Sequence, residues 1–490
     1  MELQEVKNKG IAGALWSTVG RLSTHLVTFG VSIVLARLLT PADFGLVGMA
    51  MVFIFFTQTF MDFGLTSAVI QKQNPTETQI NTVFYISVIL GTCLMLLMII
   101  FAPAIGRFFD NPEVGRIARF VSYSYVILAL SGLQRALMTK RLEIKPLALI
   151  NIISAIVQAV SGVILAFKGF GAWSIVYSVF LGSVTSTALL WWKSSWRPKW
   201  LFNLSEIKGM FFFGYKMFLA GLLSAVYAKI DQFIIGKFFD AATLGYYYRS
   251  RSFNNLITAY SSQGLSVIFF PIISNLQDDL EKVNKVIIKS VEIVAFLVFA
   301  LAGLLFLNAE SLIILLFGGN WHPSVGYFQV LVFVVYAHPI SIILVNVLSG
   351  MGKSGSFLKL EILKSFIGIS GMFIGFLWGM YGFLWALVIA GTLGLLLNMW
   401  YVQKITGLSL KQLISTIAKY AVQAFVFASA IWLLNQYLPH NLWLLLAVNT
   451  ILFSGLYFLF NFALKTNGFV YVKDIFISKI WSKINKKTKR

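Results

Sequence analysis

One cysteine, Cys93, in 490 residues rules out an internal disulfide, and none of the four histidines stands with a cysteine at a spacing that zinc sites use. Metal and thiol-redox functions therefore have little to build on. Charge is scarce as well: 12% of residues are charged and 58% are hydrophobic, against about 25% and about 45–50% in soluble domains. With a mean hydropathy of +0.82, the chain has lipid as its natural solvent. Catalytic signatures are missing: no H-E-x-x-H, no G-x-S-x-G and no loop with paired carboxylates. GMGKSG at 350–355 resembles part of a phosphate-binding loop, but Val347 stands where that loop needs glycine, and an apolar helix rather than a strand precedes it. The reading is of a non-enzyme without a cofactor. The loops near 193–208 and 274–284 are the longest candidates, too short to fold as a catalytic domain. The N-terminal stretch MELQEVKNKGIAGALWSTVG mixes acids with lysines and lacks a compact apolar core followed by a small-residue cleavage site, so the first hydrophobic helix is expected to be retained.

Apolar windows of about 20 residues, the length that crosses a bilayer, recur near 13–36, 44–69, 80–105, 116–138, 146–167, 170–192, 209–236, 242–272, 285–307, 325–349, 357–379, 381–402, 416–436 and 442–464. This predicts an all-α polytopic membrane protein with about fourteen transmembrane helices. With the N-terminus inside, few of the 39 lysines and arginines fall outside: Arg37, Arg107, Arg116, Arg119, Lys168 and Lys237. Arg21, Lys216, Lys229, Arg249 and Arg251 fall within spans, and the rest are cytoplasmic. That bias predicts both termini in the cytoplasm and accounts for most of the net charge of +21 without nucleic acid. The basic tail KINKKTKR suits anionic headgroups, or a plain solvated end.

The chain repeats at an offset of 200 residues. ARLLTPADFG (36–45) aligns with GKFFDAATLG (236–245), pairing Arg37 with Lys237 and Gly45 with Gly245; Gly64-Leu65 pairs with Gly264-Leu265, and FKGFGAW (167–173) resembles WGMYGFLW (378–385). Two parallel six-helix copies would be related by an axis along the membrane normal. The expected division is a first lobe over 1–205, a second over 206–404, two extra helices over 405–465 and a basic tail over 466–490, with the lobes facing each other across a cavity.

Ionisable groups at bilayer depth cost at least about 2.5–3.5 kcal/mol on insertion scales and so face a partner or a cavity. In the first helix Arg21, His25, Thr28 and Ser32 fall on one stripe. In the seventh, Lys216, Ala220, Ser224, Tyr227 and Asp231 do so, and in the eighth Arg251, Asn255, Thr258 and Ser262, with Arg249 beside them. Helix 2 offers Gln58 and Asp62. Arg21 could instead pair with Asp62, Lys229 with Asp231, and Arg249 and Arg251 could mark a headgroup boundary. His25 reads as a packing histidine or, with an unperturbed pKa of about 6.5, as a proton-linked group. Arg116 and Arg119, near the outer end of helix 4, read as contacts to lipid phosphates or to substrate.

The stretch SIVLARLLTPADFGLVGMAMVFIFFTQTFMDFGLTSAVIQK (32–72) closely resembles the start of the Wzx-type polysaccharide exporters, in particular their colanic-acid and lipopolysaccharide branch, within the multidrug/oligosaccharidyl-lipid/polysaccharide (MOP) superfamily. The likeness continues through 133–176. The resemblance implies two MOP/MATE-like six-helix lobes that move an undecaprenyl-diphosphate-linked oligosaccharide from the cytoplasmic to the periplasmic leaflet by alternating access. Its partners would be the lipid-linked oligosaccharide, the bilayer and the polysaccharide polymerase machinery. Arg21, Arg249, Arg251 and Lys216 would then face the diphosphate, because arginine grips phosphate with a planar fork. Gln58, Tyr227 and Asn255 would line the glycan, and Asp62, Asp231 and His25 are the candidates for ion coupling. Three alternatives fit less well. A cation-coupled drug exporter should carry an acidic cavity, a peptidoglycan-precursor flippase is disfavoured by the ARLLTPADFG block, and a membrane-embedded polymerase or ligase should carry a large periplasmic loop.

Overall fold

In a computed structural model, which describes residues 3–62 and 64–474, every regular element is helical. The α-helices are α1 (Leu3–Leu38), α2 (Pro41–Asp62), α3 (Leu65–Gln71), α4 (Glu77–Phe108), α5 (Pro112–Val121), α6 (Tyr123–Lys140), α7 (Ile144–Phe167), α8 (Ala172–Lys193), α9 (Lys208–Phe238), α10 (Ala241–Leu276), α11 (Leu280–Leu307), α12 (Ala309–Phe317), α13 (Pro323–Val335), α14 (Ala337–Gly350), α15 (Ser354–Phe376), α16 (Gly379–Thr406), α17 (Leu410–Asn435) and α18 (Leu442–Ala463). Among the described residues ten helical stretches are long and apolar enough to cross a membrane. The protein is a multi-pass, all-helical membrane protein. Lipid cannot satisfy backbone polar groups, so the helix, which pairs its own, is the form each apolar run takes.

The chain divides into two compact units, 1–245 and 246–490, so α9 and the first turn of α10 belong to the first. In that unit α7 and α8 form a hairpin, α1 lies along α7, α4 packs on α5 and α6, and α9 packs on α2. Hydrocarbon gives helices no hydrophobic drive to associate, so close packing of small residues carries much of the contact. A Cβ on Gly20 would come 2.7 Å from the Ala148 Cβ, and one on Gly91 2.8 Å from the Ala129 Cβ. In the second unit α11 runs between α13, α14, α17 and α18. Its Phe296 stacks on Tyr457 at 5.5 Å between ring centroids, and Gly303 leaves room for the Phe453 ring.

Both copies of the repeated corner lie in the first unit, and they touch reciprocally. A Cβ on Gly45 would sit 1.7 Å from the Ala241 carbonyl oxygen, and one on Gly245 would sit 1.9 Å from that of Pro41. Residue 41 corresponds to 241 and 45 to 245, so each copy offers its glycine to the other's first turn. Such exchange of equivalent residues is the mark of a two-fold contact.

Candidate functional site

On α1 the face that carries Gly20 is spent on α7, which turns Arg21, His25 and Thr28 to the exposed side. Thr24 donates to the Gly20 carbonyl and Thr28 to that of Thr24, each at 2.8 Å, while Ser32 donates to Phe29 at 2.7 Å. These hydroxyl protons are used within the helix, and Arg21 supplies the stripe's fixed positive charge.

Arg249 and Arg251 part company on α10, because two residues turn a helix by about 200°. Arg249 is buried at 2% exposure, its guanidinium 4.5 Å from the Phe317 ring centroid and 5.1 Å from that of Trp321. It is held by aromatic faces inside the unit. Ser250, donating to the Ser324 carbonyl at 2.8 Å, and Asn254, donating to the Leu331 carbonyl at 2.9 Å, fasten the neighbouring positions. Tyr247, Arg251 and Asn255 form a separate row at i, i+4 spacing, grading from buried through half-buried to exposed along the helix. Arg251 Nη1 donates to the Tyr247 hydroxyl at 2.6 Å, which fixes the inner end of the guanidinium.

On α9, Asp231 and Gln232 are buried, and Lys229 Nζ stands 5.3 Å from the Phe55 ring centroid while donating to Gln232 Oε1 at 3.3 Å. The side chains of Gln58, Asp62, Lys216 and Tyr227 lie outside the described residues. The structure thus groups Arg251 with Asn255 and Arg21 with His25, and it puts Arg249 on the packed side of its helix.

Two charged groups escaped the sequence reading. Glu292 in α11, standing alone in the apolar run KSVEIVAFLV, is 5% exposed; the Tyr420 hydroxyl donates to its Oε1 at 3.3 Å, and Lys419 Nζ lies 3.8 Å away. Arg135, counted among cytoplasmic cations, ties three helices together by donating to Asn151 Oδ1 and Ser186 Oγ, both at 3.1 Å. A charge inside an apolar window was the available signal for Glu292. Among the described residues, no group of three or more His, Cys, Asp or Glu side chains could hold a metal ion.

Family comparison adds the decisive observation: residues 34–326 match the family described as polysaccharide biosynthesis protein. The chain belongs to that family. It is 26% identical over 410 residues to an uncharacterized membrane protein in the cps region of Klebsiella pneumoniae, covering 81% of this chain and 83% of that one. To the lipopolysaccharide biosynthesis protein WzxC of Escherichia coli K12 it is 23% identical, covering 76% of each. In fold it is similar to the lipid II flippase MurJ in an inward closed conformation, with a TM-score of 0.74 at 15% identity over 92% of this chain and all of that one. The expected kinship with the Wzx-type exporters of the MOP superfamily holds, and the member described here is a membrane transport protein of polysaccharide biosynthesis.

Proposed function

We propose that this family member is a flippase that carries an undecaprenyl-diphosphate-linked oligosaccharide from the cytoplasmic to the periplasmic leaflet, by alternating access between two six-helix lobes. In this reading fourteen spans cross the inner membrane, both termini are cytoplasmic, and the product passes to polysaccharide polymerase machinery. The observation that carries it is a pair of arginines, Arg21 on α1 and Arg251 on α10, whose side chains are exposed or half-buried rather than sealed in the packing. A guanidinium that stays accessible can meet the oxygens of a lipid diphosphate with its planar fork.

Arg251, oriented by its bond to Tyr247, adds its positive charge at the diphosphate, and Asn255 one turn on offers an amide to the sugar. Arg21 supplies the second cation and Lys216 a third. Arg249 supports this row from behind through Phe317 and Trp321. Gln58 and Tyr227 line the glycan, and Asp62, Asp231 and His25 are the groups able to exchange a coupling ion.

The test separates these roles. Arg21→Ala and Arg251→Ala are expected to lower export about tenfold or more at unchanged protein level, since a hydrogen bond to a charged group contributes about 1.5–3 kcal/mol. Arg→Lys restores only part of the activity, because lysine keeps the charge and loses the fork. Arg249→Ala lowers the amount of folded protein first. The readout is the fraction of lipid-linked repeat unit reached by a glycan-modifying enzyme added outside spheroplasts. Normal export by both Arg21→Ala and Arg251→Ala sinks the diphosphate assignment.

A further inference from the structure

The corner between α4 and α5 forms an open, cleft-like cavity of about 600 Å³ whose lining includes the exposed Arg107, Arg116 and Arg119. Glycines make the corner tight: a Cβ on Gly115 would come 2.6 Å from the Ala102 carbonyl oxygen, and one on Gly106 would come 3.4 Å from the Asn111 carbonyl oxygen. Arg116 and Arg119, three residues apart, project from the same side of α5, and Arg107 joins them from the last turn of α4.

The acids of this corner are already engaged. Glu113 accepts from Arg116 Nη1 at 2.8 Å with one oxygen and from the Trp173 indole N–H at 2.6 Å with the other, while Asp110 is paired with Lys237 at 3.1 Å. The Arg107 and Arg119 side chains make no ion pair or hydrogen bond among the described residues. Two uncompensated arginines, Arg107 and Arg119, therefore line the same cavity, a combination suited to the oxygens of a phosphate.

The surface below the cavity indicates what carries that phosphate. Leu96, Ile100, Pro103 and Arg107 fall at spacings of 4, 3 and 4 on one face of α4. All four are exposed, with Ile100 at 70% and Leu96 at 51%. An apolar stripe about two turns long thus ends in the arginine cavity, matching an acyl or prenyl chain that ends in a charged head. In the proposed orientation this corner is outside, where the chain places few cations, and three of those few meet here.

We propose that the α4–α5 corner is a binding site for the phosphate of a single membrane lipid, separate from the arginines of α1 and α10. The full-length protein, stripped of lipid in detergent, is titrated by native mass spectrometry with phosphatidylglycerol, with a polyprenyl diphosphate and with inorganic phosphate. One bound lipid is expected, retained about tenfold less by Arg107→Gln/Arg119→Gln than by the wild type. Arg107→Lys/Arg119→Lys, which keeps net charge and guards against misfolding of the first variant, should fall between the two. A drop for phosphatidylglycerol supports the site and assigns it to bulk phospholipid; a drop confined to the diphosphate supports it and assigns it to the carrier lipid. Equal retention of both lipids by wild type and variant, or a drop for inorganic phosphate alone, overturns it. Export is not a readout here, so failure leaves the roles of Arg21 and Arg251 untouched, and their failure leaves this site standing.

Discussion

The two copies of the repeated corner, 36–45 and 236–245, agree where backbones touch and differ where side chains fasten them. In both, the fifth helical residue is a glycine pressed on a carbonyl of the other copy. The caps are reversed. In the first copy Thr40 is the N-cap and Asp43 the reciprocal partner: Asp43 Oδ2 accepts from the Thr40 N–H at 2.9 Å and from its hydroxyl at 2.7 Å. In the second copy the acid has moved to the cap itself, and Asp240 Oδ1 accepts from the Thr243 N–H at 2.7 Å. The exchange frees Asp43 Oδ1 to accept from the Ala172 N–H at 2.9 Å. One carboxylate thereby serves the starts of α2 and α8, both of which favour negative charge. A duplicated segment keeps what its symmetric contact requires and is free to vary the rest.

The glycines give the sharpest break. Gly45→Val and Gly245→Val should each cost about 3 kcal/mol, at the upper end of overpacking penalties because the obstacle is backbone and cannot rotate away. The costs should be nearly equal, as a reciprocal contact demands. Melting temperature in detergent and the amount of membrane-inserted protein report it; an unaffected variant at either position shows that the contact is not maintained in the membrane.

Unlike the glycines, the caps should separate the copies. Asp240→Ala removes one cap bond and is expected to cost about 1 kcal/mol. Asp43→Ala removes the carboxylate that the Thr40 cap pairs with and the tie to α8, leaves the N–H of buried Ala172 without its acceptor, and should cost about 2 kcal/mol. Thermal unfolding of the two variants side by side decides it, and equal losses would mean that the bond to Ala172 contributes nothing.

These corners were largely legible in the sequence, because glycine in an apolar span and T-P-A-D before one are local signals, and the offset of 200 paired them. The phase of α10 was not. Arg249, Arg251, Asn254 and Asn255 put polar groups around the whole helix, so periodicity names no single inner face. Phe317 and Trp321, which draw Arg249 inward, stand far along the chain. Glu292 was missed for the opposite reason: one acid among strongly apolar neighbours barely changes the character of a twenty-residue window. Its environment depends on Tyr420 and Lys419, which only the packing of α17 on α11 brings near.

The smallest expected effect tests how far the second copy relies on charge. Lys237, which the repeat pairs with Arg37, donates from Nζ to the Phe108 carbonyl at 2.6 Å and to Asp110 Oδ2 at 3.1 Å, and its ammonium lies 4.9 Å from the Phe108 ring centroid. The Asp110 side chain is 81% exposed, so water and salt screen the ion pair, and such pairs are worth about 0–1 kcal/mol. The bond to the carbonyl does not need Asp110. Asp110→Asn should therefore shift stability by no more than about 0.5 kcal/mol, all the more because asparagine tolerates the positive φ of 53° at this position. Lys237→Met keeps the apolar stem over Phe108 but strips the carbonyl of its donor, and should cost about 1 kcal/mol. Measured at low and at high salt, the Asp110→Asn difference should shrink with added salt while the Lys237→Met difference persists. If both vanish at high salt, the corner is held by the ion pair, and the carbonyl contact counts for little.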